Sequence, residues 1–418
     1  LFYSIENRGI IIAKEMNLPT EPVFGRFVMM NNKDTASYPA KLRRQFRAWK
    51  NSRRLRKELC YYSSKFDSLH FTLPDEEIIR NTIKNKFPNT EPKPKGTLNI
   101  LAIYHHYNWE NESLKPSLDK FGKVRHYDWF EQFNHQHEDW HSSIRAKMNE
   151  ELVNQVETRI QNDSTDVIFT YLSGELISSE AMRKLSTFGI PMINLALNDK
   201  EAFIGKIKNG QAMGSRDICR YFDLCWTSTE DALKKYCVEG ALPIYLPEGA
   251  NPEIHKPYNI EKSIDVSFVG QCYVNRPAII QALKDHGIHA EAFGYGWPNG
   301  PLSTDDMVRM YSKSKINLGF AGVAGHQDTF CLKGRDFEIP MSGGLYLTEH
   351  SPELERVFEI GKEILTYKTL DELVKKIQYL LDHPDEAEAI RKAGHRRAVS
   401  EHTWEMRFEK IFMLMGLI

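Results

Sequence analysis

Short apolar runs alternate with longer amphipathic stretches along most of this chain, and the alternation begins abruptly near residue 97. Apolar runs of about four to eight residues are typical of strands buried in a parallel sheet, whereas amphipathic stretches favour helices. The first series of predicted strands covers residues 97–104, 166–172, 191–197, 223–227 and 243–246. Strand and helix in repetition indicate a doubly wound α/β domain, which we place at residues 97–248.

A second series of the same kind follows the Pro-Glu-Gly-Ala-Asn-Pro stretch that ends at Pro252. Its predicted strands cover residues 264–269, 289–293, 316–320, 344–348 and 363–367. The sequence predicts helices after Ser351 and Thr369, because each is a capping residue with an acidic residue close behind it. This second α/β domain is placed at residues 249–400, and a last helix is predicted within residues 401–418. Two such domains hold ligands between them, at the carboxyl ends of their strands.

Residues 1–96 differ from the rest, because they are polar, basic and poor in strand signals. They are predicted to form a mainly helical extension, with one helix over residues 40–64 and a proline-rich linker at 88–96. Nine of the residues between 41 and 57 are Lys or Arg. Three interpretations of this basic segment stay open: a solvated helix face, a peripheral contact with anionic lipid, or a contact with an anionic acceptor.

Composition limits the class of protein. The 418 residues are 41% hydrophobic and 27% charged with a net charge of -1, which is typical of a globular protein and does not favour nucleic acid as a partner. The six cysteines are scattered without metal-binding spacing, so we expect free thiols and no metal site. No apolar run approaches the roughly 20 residues that span a bilayer. We therefore expect a cytoplasmic protein.

The segment from Leu332 to Thr348 carries the most specific chemistry. A helix start offers free N–H groups and partial positive charge to a phosphate, and Lys333 and Arg335 would add full charges. Glu338 has no use for phosphate, but its two acceptor oxygens suit a pair of sugar hydroxyls. Phosphate and diol recognition on one short segment predict a nucleotide-sugar site.

Three further loops of the second domain follow predicted strands and would line the same site. Loops 270–276 and 293–297 would bring backbone and aromatic groups to the nucleotide, and His326 lies in a glycine-rich loop (residues 319–327) with room for a sugar. With Glu338, the predicted nucleotide contacts are Gly270, Gln271, Arg276, Gly294, Tyr295, Gly296 and Gly343. The predicted catalytic residues are Arg335, Lys333 and His326. A plain turn or a solvated loop is the alternative for each.

The first domain would supply the acceptor pocket. His105 and His106 follow its first strand, Glu175 follows the second, and Asp199 follows the third. Each could hold an acceptor hydroxyl or act as a base, although each alone could equally be structural.

Several segments of the second domain resemble the CgeB-like glycosyltransferases, a spore-maturation type within the group 1 transferases. The resemblance rests on stretches that include 246–252, 266–270, 332–338, 379–384 and 393–404, and it covers roughly residues 225–410. It implies the GT-B fold, in which two Rossmann-like domains face a cleft and the second binds the donor. It also implies that no metal is obligatory and that the helix within 401–418 returns to the first domain.

The resemblance also bears on stereochemistry. Many retaining GT-B enzymes have two Glu residues eight positions apart, the second of which binds ribose. Glu338 matches that second position, but Phe330 stands at the first. The resemblance therefore implies a retaining transferase with one departure from the pattern.

The sequence thus predicts a glycosyltransferase that moves a sugar from a nucleoside-diphosphate sugar to a hydroxyl of a glycan, lipid-linked or protein acceptor. It would use no cofactor beyond this co-substrate. Two alternatives stay open: a nucleotide-sugar epimerase of similar architecture, and a non-catalytic protein that binds nucleotide-sugars or assists assembly.

Overall fold

A computed structural model describes residues 38–107 and 109–418, so residues 1–37 of the predicted extension and the side chains of residues 38–41 lie outside the described residues. The strands are β1 (Leu98–Ile103), β2 (Gly122–Tyr127), β3 (Val167–Thr170), β4 (Met192–Ala196), β5 (Ile207–Lys208), β6 (Gln211–Ala212), β7 (Leu224–Thr227), β8 (Pro243–Tyr245), β9 (Ile264–Val269), β10 (Ala290–Phe293), β11 (Ser314–Gly319), β12 (Tyr346–Glu349) and β13 (Leu365–Tyr367). The α-helices are α1 (Tyr38–Ser68), α2 (Glu76–Lys86), α3 (Lys115–Asp119), α4 (Arg145–Asn162), α5 (Ser179–Leu185), α6 (Asp199–Ala202), α7 (Leu233–Val238), α8 (Arg276–Asp285), α9 (Thr304–Lys313), α10 (Gly334–Met341), α11 (Leu370–Asp382), α12 (Pro384–Glu401) and α13 (Trp404–Leu414).

The strands form two parallel sheets, and each is the centre of one domain. The first domain has the order β2-β1-β3-β4-β7-β8, and the second has β10-β9-β11-β12-β13. Strands such as β3 and β4 are buried along their whole length, as expected when helices cover both faces of a sheet. The two predicted doubly wound domains are therefore confirmed, and the carboxyl ends of the strands of each sheet share one edge.

Three local features were not predicted from the sequence. Strand β2 was missed, because its sequence GKVRHY is polar and only its last residue is buried, as befits an edge strand. The small antiparallel pair β5 and β6 was also missed, since two residues per strand give no periodicity. The helix predicted after Ser351 is a short 3₁₀-helix, Pro352–Arg356.

The predicted helical extension is confirmed over its described part, where α1 and α2 lie, and it packs on the first domain. Tyr62 of α1 lies in the core beside Phe203, with ring centroids 5.6 Å apart, and its hydroxyl donates to Glu239. Lys235 of α7 forms an ion pair of 2.9 Å with Glu58 of α1, and both side chains are buried. Loss of either partner would leave an uncompensated buried charge, so α1 has a fixed position on α7.

Helix α13, which follows the second domain, also lies against the first. Trp404 stacks on Trp109 at 5.2 Å, and Phe408 packs against Phe169 and Trp226 in the core beneath the first sheet. Further contacts join the domains directly: Lys200 forms an ion pair of 2.8 Å with Glu353. Lys200 follows β4 and Glu353 follows β12, so the carboxyl ends of the two sheets approach one another, and the space between them is called the cleft below.

Candidate active site

The ends of β9 and β10 form one wall of the cleft in the second domain. The Gly270 N–H donates to the Phe293 carbonyl at 2.8 Å, and a Cβ on Gly294 would lie only 2.3 Å from the Gly270 oxygen. Gly294 has a φ of 128°, which favours glycine. Since no side chain fits at Gly294, these two predicted nucleotide contacts form a close backbone pair at the strand ends.

The first turn of α10 is held by Asp336. One carboxylate oxygen accepts from the Lys333 N–H at 2.7 Å, and the other accepts from the Tyr346 hydroxyl at 2.6 Å. Burial raises the pKa of Asp336, which these hydrogen bonds oppose. Asp336 therefore fixes the direction of the helix start. The neighbouring Arg335 lies against the wall formed by the ends of β9 and β10.

Arg335 and Arg276 share one aromatic ring. Their guanidinium carbons lie 5.7 and 5.3 Å from the centroid of Phe268. A Cβ on Gly270 would lie 3.0 Å from the Arg335 Nη1, so the glycine leaves space for this guanidinium. Burial and the nearby charge of Arg335 lower the pKa of Arg276 to about 10.

Among the described residues, neither guanidinium forms an ion pair with an acidic side chain. Arg276 donates to the Gln271 carbonyl at 3.0 Å and is buried, whereas Arg335 forms no hydrogen bond within the same residues and is only partly buried. Against the effect of burial, the nearby Glu338 and Asp336 help to raise the pKa of Arg335, but neither forms a direct ion pair with it. Two adjacent cations without a directly bonded counterion are costly unless an anion joins them. The structure thus brings the predicted Arg335, Arg276, Gly270 and Gln271 together.

A second group of titratable side chains surrounds Glu338, one turn further along α10. Its Oε1 lies 4.0 Å from Nε2 of the buried His255. A Cβ on Gly334 would lie 3.0 Å from the same oxygen and 3.5 Å from Oε2 of Glu248. Burial lowers the pKa of His255, so this ring is a neutral neighbour of Glu338.

Glu248 was not predicted as a site residue, although the stretch that contains it is the predicted boundary between the two domains. Burial and the charges of Glu338 and Asp336 raise the pKa of Glu248 to about 8. A protonated Glu248 can donate a hydrogen bond where an ionised one cannot. It therefore adds a polar group of pH-dependent character beside the predicted ribose ligand.

The glycine-rich loop (residues 319–327) is held in place by Lys333. The Lys333 ammonium donates to the Phe320 carbonyl at 3.1 Å and to the Gly322 carbonyl at 2.8 Å. His326 lies further along the loop, with Nδ1 3.2 Å from the Ala324 carbonyl. Lys333 is thus at the predicted site, with its charge engaged by the loop backbone.

The same loop is held from the outside by α1. The Ser52 hydroxyl donates to the Gln327 carbonyl at 2.7 Å and accepts from the Gln327 N–H at 2.7 Å, while the Asn51 amide donates to the Gly325 carbonyl at 2.8 Å. These residues are about 275 positions apart in the chain, so sequence patterns gave no signal for the contact.

On the first domain, His105 stands out among the predicted acceptor residues. Its Nδ1 lies 2.9 Å from Asp128, and its ring stacks on Phe130 at 4.3 Å. Burial would raise the pKa of Asp128, but hydrogen bonds from the His106 N–H, the His105 ring and the Phe130 N–H lower it. The ionised carboxylate orients the ring, and Nε2 has no hydrogen-bond partner among the described residues.

The other predicted acceptor residues are engaged in local contacts. His106 lies 3.4 Å from Glu110, and its Nδ1 accepts from the Asn111 N–H. Glu175 binds His141 at 2.6 Å and Lys208 at 3.2 Å. Asp199 is buried and accepts from the Tyr236 hydroxyl at 2.8 Å, and burial raises its pKa to about 7.

Glu201, two residues after Asp199 on α6, is a candidate that the sequence reasoning missed. Burial raises the pKa of Glu201, and the charges of His326 and Lys333 oppose this shift. Glu201 therefore lies within electrostatic range of His326 in the glycine-rich loop and of Lys333. The sequence Asn198-Asp199-Lys200-Glu201 does indicate an acidic site residue after the strand. A helix of four residues does not show, however, which of its two acids lies toward the cleft.

The structure separates Gly343 from the other predicted nucleotide contacts. Gly343 follows the far end of α10, where its φ of 69° ends the helix and a Cβ would lie 3.0 Å from Pro257. Because α10 has 8 residues, this end is about 12 Å from Arg335. Tyr295 is 71% exposed and free to stack, and Gly296, with a φ of 87°, lies against Cys272.

The described residues, 38–107 and 109–418, contain neither a metal-binding cluster nor a membrane-spanning helix. Within them, no three His, Cys, Asp or Glu side chains are grouped so that they could hold a metal ion. No helix in the same ranges has both the length and the apolar character needed to cross a bilayer.

Comparison with known proteins agrees with this architecture. Residues 276–413, about a third of the chain, match the family described as glycosyl transferase-like. No curated protein sequence matches the chain significantly.

Solved structures are similar over most of the chain at low identity. Sucrose-phosphate synthase from Thermosynechococcus elongatus is 11% identical with a TM-score of 0.55, covering 76% of this chain and 98% of that one. Anabaena HepE in complex with UDP-glucose is 11% identical with a TM-score of 0.52 and coverages of 77% and 100%. A glycosyltransferase from Rickettsia africae is 10% identical, with a TM-score of 0.51 and coverages of 77% and 98%. The fold is therefore the GT-B fold, as predicted, and the second domain contains a glycosyltransferase-like region; membership of the CgeB-like group stays a prediction.

Proposed function

We propose that this protein transfers a sugar from a nucleoside-diphosphate sugar to an acceptor hydroxyl. The observation that carries the proposal is the pair of guanidinium groups around Phe268, where neither Arg276 nor Arg335 forms a direct ion pair with an acidic side chain among the described residues. Two like charges are normally not buried side by side, or a carboxylate neutralises them. A diphosphate would supply a directly bonded anion at the edge of the sheet where ligands of this fold class bind.

The rest of the donor would extend along the same wall. The diphosphate would meet Arg335 and the first turn of α10, and Glu338 would accept hydrogen bonds from the ribose hydroxyls. The exposed Tyr295 offers a ring on which the base can stack. A uridine nucleotide is the first donor to test, because the similar HepE was solved with UDP-glucose.

Catalysis would come mainly from stabilisation of the leaving group. As the bond between the anomeric carbon and the diphosphate oxygen breaks, charge grows on that oxygen, where Arg335 and the helix dipole stabilise it. A new bond then joins the anomeric carbon to the acceptor oxygen. The retention implied by the resemblance is kept in this proposal, so the acceptor proton passes to the departing phosphate oxygen.

The first domain would hold the acceptor. His105, oriented by Asp128 and with a free Nε2, would accept a hydrogen bond from the acceptor hydroxyl, and Glu201 would face the sugar beside the glycine-rich loop. No metal is needed in this scheme, because the cations that neutralise the diphosphate are side chains of the protein.

The experiment that tests the proposal is incubation of the protein with UDP-sugars, with and without a panel of acceptors. We expect release of UDP that increases with a suitable acceptor, and a loss of about 10²–10³ in turnover for Arg335→Ala. The exposed Arg396→Ala is the matched control. An Arg335→Ala protein that folds normally and keeps the wild-type rate would refute the role, and isomerised donor in the absence of acceptor would favour the epimerase alternative.

A further inference from the structure

Helix α1 carries a concentration of exposed positive charge that the proposed chemistry does not use. Eight side chains are exposed cations, namely Arg43, Arg44, Arg47, Lys50, Arg53, Arg54, Arg56 and Lys57. Within the described part of the chain none of them forms an ion pair with an acidic side chain. Since the net charge of the whole chain is -1, this charge is a local feature of one helix.

Apolar side chains are exposed among these cations. Leu42 is 48% and Phe46 is 55% exposed, and Phe46 stacks on Trp49 at 5.7 Å. Spacings of four and three residues place these three side chains on one face of the helix. Arg54 donates to the Gly205 carbonyl, and Arg44 lies on the same side of the helix as the buried Leu55. The apolar cluster and the other six cations are called the basic-apolar face below.

The opposite face of α1 is the one that contacts the protein. Ser52, Leu55 and Tyr62 are buried there, and Ser52 binds the backbone of Gln327. The helix therefore cannot rotate its apolar side chains inward without losing those contacts. The basic-apolar face is held outward in a fixed orientation, next to the glycine-rich loop.

We propose that the basic-apolar face binds an anionic lipid surface. Cations near such a surface are attracted by its negative potential, and apolar side chains at the same level can enter the boundary between head groups and acyl chains. An anionic polymer would need the cations alone and would leave Leu42 and Phe46 exposed to water. The combination of both on one face is what distinguishes a lipid surface from a polyanion.

This binding would orient the enzyme. Because α1 also holds the glycine-rich loop through Asn51 and Ser52, a helix lying on a membrane places the mouth of the cleft close to that membrane. The proposal concerns where the protein sits and does not depend on the chemistry of the cleft, since binding can be measured without any donor.

The test is sedimentation of the full chain with vesicles of pure phosphatidylcholine and with vesicles that also contain phosphatidylglycerol. We expect binding only to the anionic vesicles, and weaker binding at about 0.5 M salt, where the Debye length falls well below 10 Å. The triple variant Arg43→Glu, Arg47→Glu and Lys50→Glu should bind at least tenfold more weakly, given about fivefold for each cation. Phe46→Ser tests the apolar contribution separately, because it leaves the charge unchanged, and it should also weaken binding.

The matched control reverses three exposed cations elsewhere, Lys284→Glu, Lys375→Glu and Arg396→Glu, and changes the net charge equally. The proposal predicts that this control binds like the wild type. Equal loss in both triple variants, or no binding of the wild type to anionic vesicles, would overturn it. If Phe46→Ser binds vesicles normally while a soluble polyphosphate competes fully, the face recognises a polyanion instead.

Discussion

Ser52 and Gln327 are joined by two hydrogen bonds of 2.7 Å, although they are 275 residues apart in the chain. The hydroxyl of a helix outside both α/β domains thus satisfies the N–H and the carbonyl of the same residue in the glycine-rich loop. Because Ser52 is buried, water is a poor substitute for it. This contact connects the extension to the part of the cleft where the transferred sugar would lie.

Replacement of Ser52 by Ala should therefore impair sugar handling more than nucleotide binding. The variant leaves the Gln327 N–H without an acceptor, which costs about 1–3 kcal/mol locally, while the Gln327 carbonyl keeps the hydrogen bond from the Thr329 hydroxyl at 3.1 Å. We expect weaker binding and slower turnover of UDP-sugars, with nearly unchanged affinity for UDP. Calorimetric titration with both ligands checks this, and Ser68→Ala on the same helix is the control, since Ser68 only caps its own turn. Equal loss for UDP and UDP-sugar would show that Ser52 acts through general stability.

Glu338 should discriminate between ribose and its 2′-deoxy analogue. Hydrogen bonds to a charged group contribute about 1.5–3 kcal/mol, so the wild type should bind UDP at least tenfold more tightly than 2′-deoxy-UDP. In Glu338→Gln this preference should largely disappear, because the charged acceptor is gone. The measurement is the ratio of the two dissociation constants in each protein, and an unchanged ratio contradicts the assignment.

His105→Gln should lower transfer to an acceptor and leave donor binding intact. As a residue that orients the acceptor hydroxyl, His105 is expected to contribute about 10–100-fold in turnover, with retention of the anomeric configuration in the product. Asp128→Asn should have a similar but smaller effect, because it removes the orientation of the ring. Turnover and product configuration by NMR check both variants. A loss beyond 10³ together with an inverted product would instead make His105 the general base.

Glu248 should make stability depend on pH in a specific window. Its pKa is raised from 4.5 to about 8, so between these values the folded protein holds a proton that the unfolded chain has lost. The contribution of Glu248 to the free energy of unfolding therefore falls as pH rises through this window. Glu248→Gln has no proton to lose, so relative to wild type it should gain about 1–3 kcal/mol between pH 5 and about 8.

Urea unfolding at several pH values measures this difference directly. The exposed Glu261→Gln is the control and should show no such trend. A constant difference between Glu248→Gln and wild type from pH 5 to 9 would mean that Glu248 is ionised throughout.

The sequence predicted the sheets well, because buried parallel strands such as β3 and β11 are short, apolar and bounded by turn residues. It also singled out Arg335 and Glu338 as candidates, since both lie within one helix turn of each other and a short segment shows their chemistry; their roles stay predictions. The edge strand β2 was missed, and Asp128 was missed with it, because that residue follows β2 and meets His105 only once β1 and β2 pair.

The remaining site residues depend on packing that no local pattern records. Glu201 and Asp199 share one short helix, and only the packing of α6 determines that Asp199 meets Tyr236 while Glu201 lies within electrostatic range of His326. Likewise, the spacing of α1 indicated an amphipathic helix, but its contact with Gln327 requires both domains and the extension to be assembled.

The central claim is that Arg335 binds the diphosphate of the donor. Calorimetric titration of UDP and of uridine into wild type, Arg335→Ala and the control Arg396→Ala tests it most directly. We predict that Arg335→Ala binds UDP about 10–100-fold more weakly and binds uridine as the wild type does, because only the phosphate contact is lost. If Arg335→Ala folds normally and binds UDP with wild-type affinity, or if it loses UDP and uridine equally, the diphosphate is not held by Arg335 and the proposed site is wrong.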